Sequence, residues 1–190
     1  MDKLSKKIIV LEGLPASGKT TLANYLSENM GYYKVNESMG KLSPQHITNS
    51  QIEIFTETLG KYGIAKTVDS NCIIDRGYPS LLCWDYCAEK LGYAKDYFEQ
   101  NIWIKKSLGN GELFEPDLYV YLDIDPIRST ERRPRQTNKI DVWSGRQGMG
   151  YAREFYNRFF IGRSDVVRID GELGVKEISQ LIRQKLHDKN

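Results

Sequence analysis

Cysteine and histidine are scarce in this chain, and the way they are spaced excludes more than their number does. Cys72, Cys83 and Cys87 form no C-x-x-C pair, and only His46 and His187 could join them, so no zinc-binding spacing exists. Cys83 and Cys87 fall four apart and share a helix face, where buried reduced thiols are expected rather than a disulfide. A dominant charge is missing as well. With 27 basic and 25 acidic residues the formal charge is +2, which argues against a general nucleic-acid coat or a surface built for an acidic partner. The basic segment Met1–Lys7 is followed by an apolar run that stops at Glu12, too short for a signal-peptide core or a membrane span. A cytoplasmic protein without membrane contact is expected. No internal repeat or low-complexity segment is visible, and 190 residues fit a single domain, 1–190, with a real core.

What the chain does have comes early. Gly13-Leu14-Pro15-Ala16-Ser17-Gly18-Lys19-Thr20 reads G-x-x-x-x-G-K-T directly behind the apolar run Ile8–Leu11. In this phosphate-binding loop a buried strand delivers the turn, and the backbone amides of Gly13, Ala16, Ser17, Gly18, Lys19, Thr20 and Thr21 can wrap phosphate oxygens. Lys19 supplies charge at the β- and γ-phosphates, and the Thr20 hydroxyl is placed for Mg²⁺. The helix that continues from Lys19 presents its N-terminal dipole to the same anion. A nucleoside triphosphate such as ATP, with Mg²⁺, is the expected ligand.

Four apolar runs rich in β-branched residues, Ile8–Leu11, Cys72–Ile74, Leu118–Leu122 and Val166–Ile169, alternate with stretches of helical spacing, and a weaker strand is expected at Tyr32–Val35. That alternation predicts an α/β fold with a parallel sheet covered by helices. Helices are expected over 19–29, about 50–68, about 80–91, within 96–108, and over 126–133, 148–160 and 175–186. Ligands of such sheets sit beyond the carboxyl ends of the strands, so the residues there are the candidate site. Asp75 ends an apolar strand, where a carboxylate can hold Mg²⁺ beside Thr20, with Asp123 as its rival. Arg76 offers a planar fork for an acceptor phosphate or for the transferred group. Glu37 follows the weak strand, where a carboxylate could take the proton of an attacking hydroxyl or bind a sugar hydroxyl.

The segment from Arg128 to Lys139 is the most basic of the chain, and Pro134 breaks its helix. It is expected to be a cationic lid over about residues 128–147, with a solvated helix face or an RNA-binding patch as the other readings. Aromatics Phe55, Tyr62, Tyr78, Trp84, Tyr93, Tyr97, Phe98 and Trp103 fall between the acceptor-side strands. Most should be core, and Phe55 is the preferred candidate for stacking on a base.

Together these residues resemble the thymidylate kinases and their relatives the deoxynucleoside kinases. Ile9–Gly13 with Gly18-Lys19-Thr20-Thr21 is similar to the family's first strand and loop. Asp75-Arg76 resembles its Asp-Arg-Tyr motif, and Pro116–Pro126 its PDL-x-x-YLD-x-DP segment. Glu131-Arg132 and a basic lid follow in the expected place. Arg153–Tyr156 and Ile169-Asp170-Gly171 resemble its subsequent helix and last strand. The resemblance implies a three-layer P-loop NTPase fold with a five-stranded parallel sheet flanked by helices. It also implies Mg-ATP-dependent phosphorylation of a nucleoside monophosphate, deoxypyrimidine by preference, and a homodimer. By the same resemblance Arg76 holds the acceptor's 5′ end, Arg132 and Arg135 belong to the lid, and the loop after Asp170 borders adenine. The chain departs from the pattern in several places. Pro15 replaces an acid in the loop, Ser38-Met39-Gly40 replaces Pro-Gly-Gly, Gly77 replaces the motif's tyrosine, and Leu59 stands where the family carries a phosphate-binding arginine. Lys61 is the candidate substitute for that arginine. Otherwise the acceptor is an uncharged deoxynucleoside with Glu37 as base. A non-catalytic P-loop protein that grasps RNA with its Arg-rich segment is the reading from another class.

Overall fold

The computed structural model describes residues 6–36, 47–93, 97–133, 142–143 and 145–188, with backbone alone for 47–53. Five strands, β1 (Ile8–Gly13), β2 (Tyr33–Val35), β3 (Cys72–Asp75), β4 (Leu118–Asp123) and β5 (Val166–Asp170), alternate with helices. All neighbouring strands pair in parallel, in the order β2-β3-β1-β4-β5. The helices are α1 (Lys19–Met30), α2 (Ile47–Thr67), α3 (Tyr78–Lys90), α4 (Tyr97–Gly109), α5 (Pro126–Arg132), α6 (Arg146–Phe159) and α7 (Val175–His187). This is the three-layer arrangement expected from the sequence.

Both faces of the sheet are covered, which is why β1, β3 and β4 read as unbroken apolar runs rather than as alternation. Successive residues of β1 feed two separate cores. Ile9 and Leu11 join Leu22 and Leu26 of α1 and Ile178 and Ile182 of α7. Val10 points the other way, into a larger core with Tyr62 of α2, Cys83 of α3, Ile104 of α4 and Tyr156 of α6. Burying each such side chain stabilises the fold by about 1.5–3 kcal/mol relative to leaving it exposed. Cys72, Cys83 and Cys87 are all buried free thiols. Burial pushes the Cys72 thiol up to about 11, so it stays protonated and unreactive at neutral pH.

Helix ends follow local chemistry. Asp125 caps α5 by accepting from Ile127 N at 2.8 Å, with Pro126 in the first turn. The helix stops at Arg132, and Arg133 is already extended (φ −80°, ψ 128°), as expected for a residue that precedes a proline. At α7 the Glu177 carboxylate reaches back to accept from Gly174 N at 2.9 Å, satisfying one amide of the first turn. Of the expected lid, residues 134–141 and 144 lie outside the described residues.

The Gly77 departure has a steric cause. A Cβ built there would lie 2.5 Å from the Tyr62 hydroxyl and 2.9 Å from Val10 Cγ1, so the volume that a side chain would need is already filled from α2. Gly77→Ala is therefore expected to lower stability by about 1–3 kcal/mol. Adding Tyr62→Phe to that variant should recover part of the loss, as read by denaturant unfolding of the two variants and the parent.

Candidate active site

The loop between β1 and α1 is shaped by three residues in the left-handed region: Gly13 (φ 140°), Ala16 (φ 56°) and Gly18 (φ 95°). Gly13 must lack a side chain, because a Cβ would meet the Leu122 carbonyl at 2.4 Å where β1 runs beside β4. Lys19 is buried with its ammonium turned back onto the loop, donating to Gly13 O at 3.1 Å, Leu14 O at 2.7 Å and Ser17 Oγ at 3.2 Å. The charge needed for phosphates is thus already inside the loop, held by carbonyl dipoles.

β3 runs alongside β1 with Leu11 opposite Asp75, which sets the Asp75 carboxylate beside the start of α1. Thr20 Oγ1 donates to Asp75 Oδ2 at 2.9 Å. Asp75 is completely buried, and its Oδ1 accepts no hydrogen bond among the described residues. An orphaned carboxylate oxygen next to a hydroxyl at a helix N-terminus suits a hard divalent cation, and Mg²⁺ characteristically takes one or two carboxylates and completes its shell with water and phosphate oxygens. The rival acid is committed elsewhere. Asp123 accepts from Arg153 Nε at 2.9 Å, from Arg153 Nη2 at 3.2 Å and from Arg168 Nε at 3.0 Å. Burial pushes its carboxyl up, but the hydrogen bonds and charges of Arg153 and Arg168 outweigh this and hold it below the usual range.

Arg76 follows Asp75 at φ 60°, a conformation that costs an arginine about 1–3 kcal/mol and persists only where the surroundings enforce it. Its Nη1 donates to Gly13 O at 3.1 Å and to Ser80 Oγ at 3.2 Å, and its guanidinium lies 5.0 Å from the centre of the Trp143 ring. The arginine fork therefore sits against the first glycine of the loop. Lys61 does not replace the missing arginine of the resemblance in this arrangement. Its ammonium is buried and donates to the carbonyls of Asp75 (3.1 Å) and Arg76 (2.5 Å), holding the turn rather than facing an acceptor. Leu59 packs against the larger core.

The other expected site residues divide. Arg132 reaches the segment after β5, donating to Gly171 O at 3.2 Å and to Glu172 Oε2 at 2.6 Å. Its helix is fastened to the loop by Ser129, whose hydroxyl donates to Pro15 O at 2.6 Å. Phe55 is stacked on Trp103 with ring centres 4.3 Å apart, so one of its faces is covered by protein. Tyr62 and Tyr78 are core, whereas Tyr93 and Phe98 are exposed. Glu37 and Arg135 lie outside the described residues. A cleft of about 690 Å³ opens beyond β4 and β5, lined by charges of both signs that include Asp125, Arg128, Arg153 and Glu172.

Glu12 was given no role by sequence reasoning. It is completely buried at the end of β1, accepting from Gly77 N (2.8 Å), Ser80 Oγ (2.5 Å) and Tyr156 Oη (3.0 Å). Burial raises its carboxyl above the usual range, with the Ser80 hydroxyl, the Arg76 charge, the Gly77 amide and Tyr156 offsetting part of that. The available signal was an acid inside an otherwise apolar strand, a position where it could only be buried.

A phosphate-binding loop at the end of a central parallel strand, with Thr20 bonded to an acid and an arginine directly after it, is the arrangement of a P-loop site for a phosphorylated nucleotide. Comparison with known proteins agrees. The chain is 24% identical over 95% of both lengths to a probable thymidylate kinase of Picrophilus torridus. Its fold matches the deoxyadenosine kinase of M. mycoides, solved with the products dCMP and dCDP, at a TM-score of 0.75 with 21% identity, over 95% of this chain and 99% of that one. It also matches the thymidylate kinase of Candida albicans at 0.70 with 17% identity, over 97% and 92%. No family model matches the sequence. The similarity to thymidylate kinases thus extends through nearly the whole chain, and it supports a nucleotide kinase. No helix among the described residues is long and apolar enough to cross a membrane.

The Asp123 cluster gives a pH-dependent prediction. A carboxyl depressed in the folded state adds stability above its unfolded pKa and loses it as pH falls through the folded one. Asp123→Asn should therefore cost about 1–3 kcal/mol at pH 7. The gap to the parent should close from about pH 4 downward, as read by melting across a pH series.

Proposed function

We propose that the protein transfers the γ-phosphoryl group of Mg-ATP to a nucleoside monophosphate, a deoxypyrimidine nucleotide by preference. The observation that carries this reading is the Arg76 fork set against Gly13 O, which supports a buried cation at the mouth of the phosphate loop. Phosphoryl transfer asks little covalent chemistry of a protein, and most of the rate comes from alignment and charge. In this scheme the loop amides and Lys19 receive the triphosphate, with the ammonium exchanging the carbonyls of Gly13 and Leu14 for phosphate oxygens. Thr20 and Asp75 would hold Mg²⁺, which when bound neutralises the β- and γ-oxygens. Arg76 orients the acceptor's 5′ end and offsets charge as the phosphoryl group passes. Arg132 and Arg135 remain its lid candidates, and Glu37 its candidate base or sugar ligand.

A second reading, a deoxynucleoside kinase, is favoured by one observation. Lys61 is engaged by the turn carbonyls and Leu59 is apolar, so neither of these two positions presents a free cation to an acceptor phosphate beside Arg76. An uncharged 5′-hydroxyl needs none.

Product formation from Mg-ATP across a panel of deoxynucleosides and their monophosphates separates the two. Turnover confined to a monophosphate such as dTMP supports the first reading, and turnover confined to nucleosides supports the second. In either case Lys19→Ala should abolish turnover, and Arg76→Ala should lower kcat/KM by about tenfold to a hundredfold, the loss expected for a charge-assisted hydrogen bond. A Lys19→Ala protein with near-parent rates would overturn the scheme.

A further inference from the structure

The Glu12 side chain takes no part in strand pairing, and the phosphoryl-transfer scheme does not use it. A carboxylate this deeply buried persists only where donors and an opposite charge compensate it. Its three donors come from two directions: Gly77 N and Ser80 Oγ from the start of α3, and Tyr156 Oη from α6. The titratable groups that face it are Arg76 and Cys83 from the β3–α3 segment, Tyr62 from α2 and Tyr156 from α6. Arg76 is the cation among them. Ser80 links the two charges, because its hydroxyl donates to Glu12 and accepts from Arg76 Nη1 at 3.2 Å. The residue between Arg76 and α3, Gly77, is held by the other carboxylate oxygen. Trp143 covers the guanidinium.

We infer that Glu12 is a positioning residue for phosphoryl transfer: through Ser80 and the Gly77 amide it locks the turn after Asp75, so that the Arg76 guanidinium stays aimed at the mouth of the phosphate loop. This rests on the role given to Arg76 above. The geometry accounts for the left-handed backbone of Arg76, which Lys61 grips from the carbonyl side while Glu12 grips the following amide. A buried acid that merely filled its site would need no connection to the arginine; here one hydroxyl serves both.

The test compares the parent with Glu12→Gln and Tyr156→Phe. Glutamine keeps an acceptor for Gly77 N and the same volume, but removes the charge. Tyr156→Phe keeps the charge and removes one donor. Glu12→Gln is expected to lower kcat/KM for the acceptor about tenfold to a hundredfold, with ATP affinity by equilibrium dialysis within about twofold of the parent. Tyr156→Phe, which loses one neutral hydrogen bond, should show a smaller loss of about threefold to tenfold in the same parameter. A stability role alone would lower the melting temperature and leave this split between acceptor and ATP unmoved. Emission of Trp143, read in a Trp84→Phe/Trp103→Phe background, supplies a second signal independent of turnover. Adding Glu12→Gln there should shift the emission as the guanidinium leaves the indole face. Unchanged acceptor kinetics in folded Glu12→Gln, or in Tyr156→Phe should the glutamine variant not fold, together with unchanged Trp143 emission, overturns the inference. A parent that phosphorylates no acceptor overturns the proposed function instead, and the emission shift alone then decides whether Glu12 holds Arg76.

Discussion

The register of β1 against its two neighbours fixes almost everything in the site. Leu11 beside Asp75 and Gly13 beside Leu122 bring the loop to one end of the sheet with an acid and an arginine that lie 55 and 63 residues farther along the chain. A slip of one residue in either pairing would turn the strand's side chains to the opposite core. Since Ile9 and Leu11 serve one core and Val10 the other, such a slip would bury no apolar surface correctly. The hydrophobic layers therefore enforce the alignment that the chemistry needs.

Around this frame the charges are sorted by depth. Among the described residues Asp85 is buried within α3, and the other deep charges, Glu12, Lys19, Lys61, Asp75 and Arg76, lie at the carboxyl ends of β1 and β3 or on the segments that touch them. Carbonyls and hydroxyls compensate them more than paired carboxylates do. Farther out, Asp123 with Arg153 and Arg168, and Glu172 with Arg128 and Arg132, form ion pairs at the ends of β4 and β5. Within the first group Lys19 and Arg76, held by loop carbonyls, are placed to exchange them for a ligand, because a carbonyl surrenders a cation at less cost than a carboxylate does. The second group ties elements together.

Most of the fold was legible because its signals are local. The strands were found from apolar runs, and the loop from a motif in which every position has a steric or electrostatic reason. Pro126 marked the start of α5 and Pro134 its end. The meeting of Thr20 with Asp75 was legible too, since a strand-final acid and a loop threonine can be joined from the topology alone. What could not be read shares one cause: side-chain direction. Lys61 could be named as a cation on α2, but not as one that turns toward the Asp75 and Arg76 carbonyls. Arg132 could be named as a lid arginine, but not as one that Glu172, 40 residues on, engages. Phe55 could not be seen to meet Trp103. Glu12 escaped because its partners lie up to 144 residues away.

Gly77 and Tyr62 occupy a single volume between α2 and the turn after β3. Any side chain at 77 would need both Tyr62 and Val10 to give way. The glycine is thus matched to what α2 and β1 present to it, so a tyrosine grafted at 77 to restore the Asp-Arg-Tyr motif would have to bring its own surroundings along.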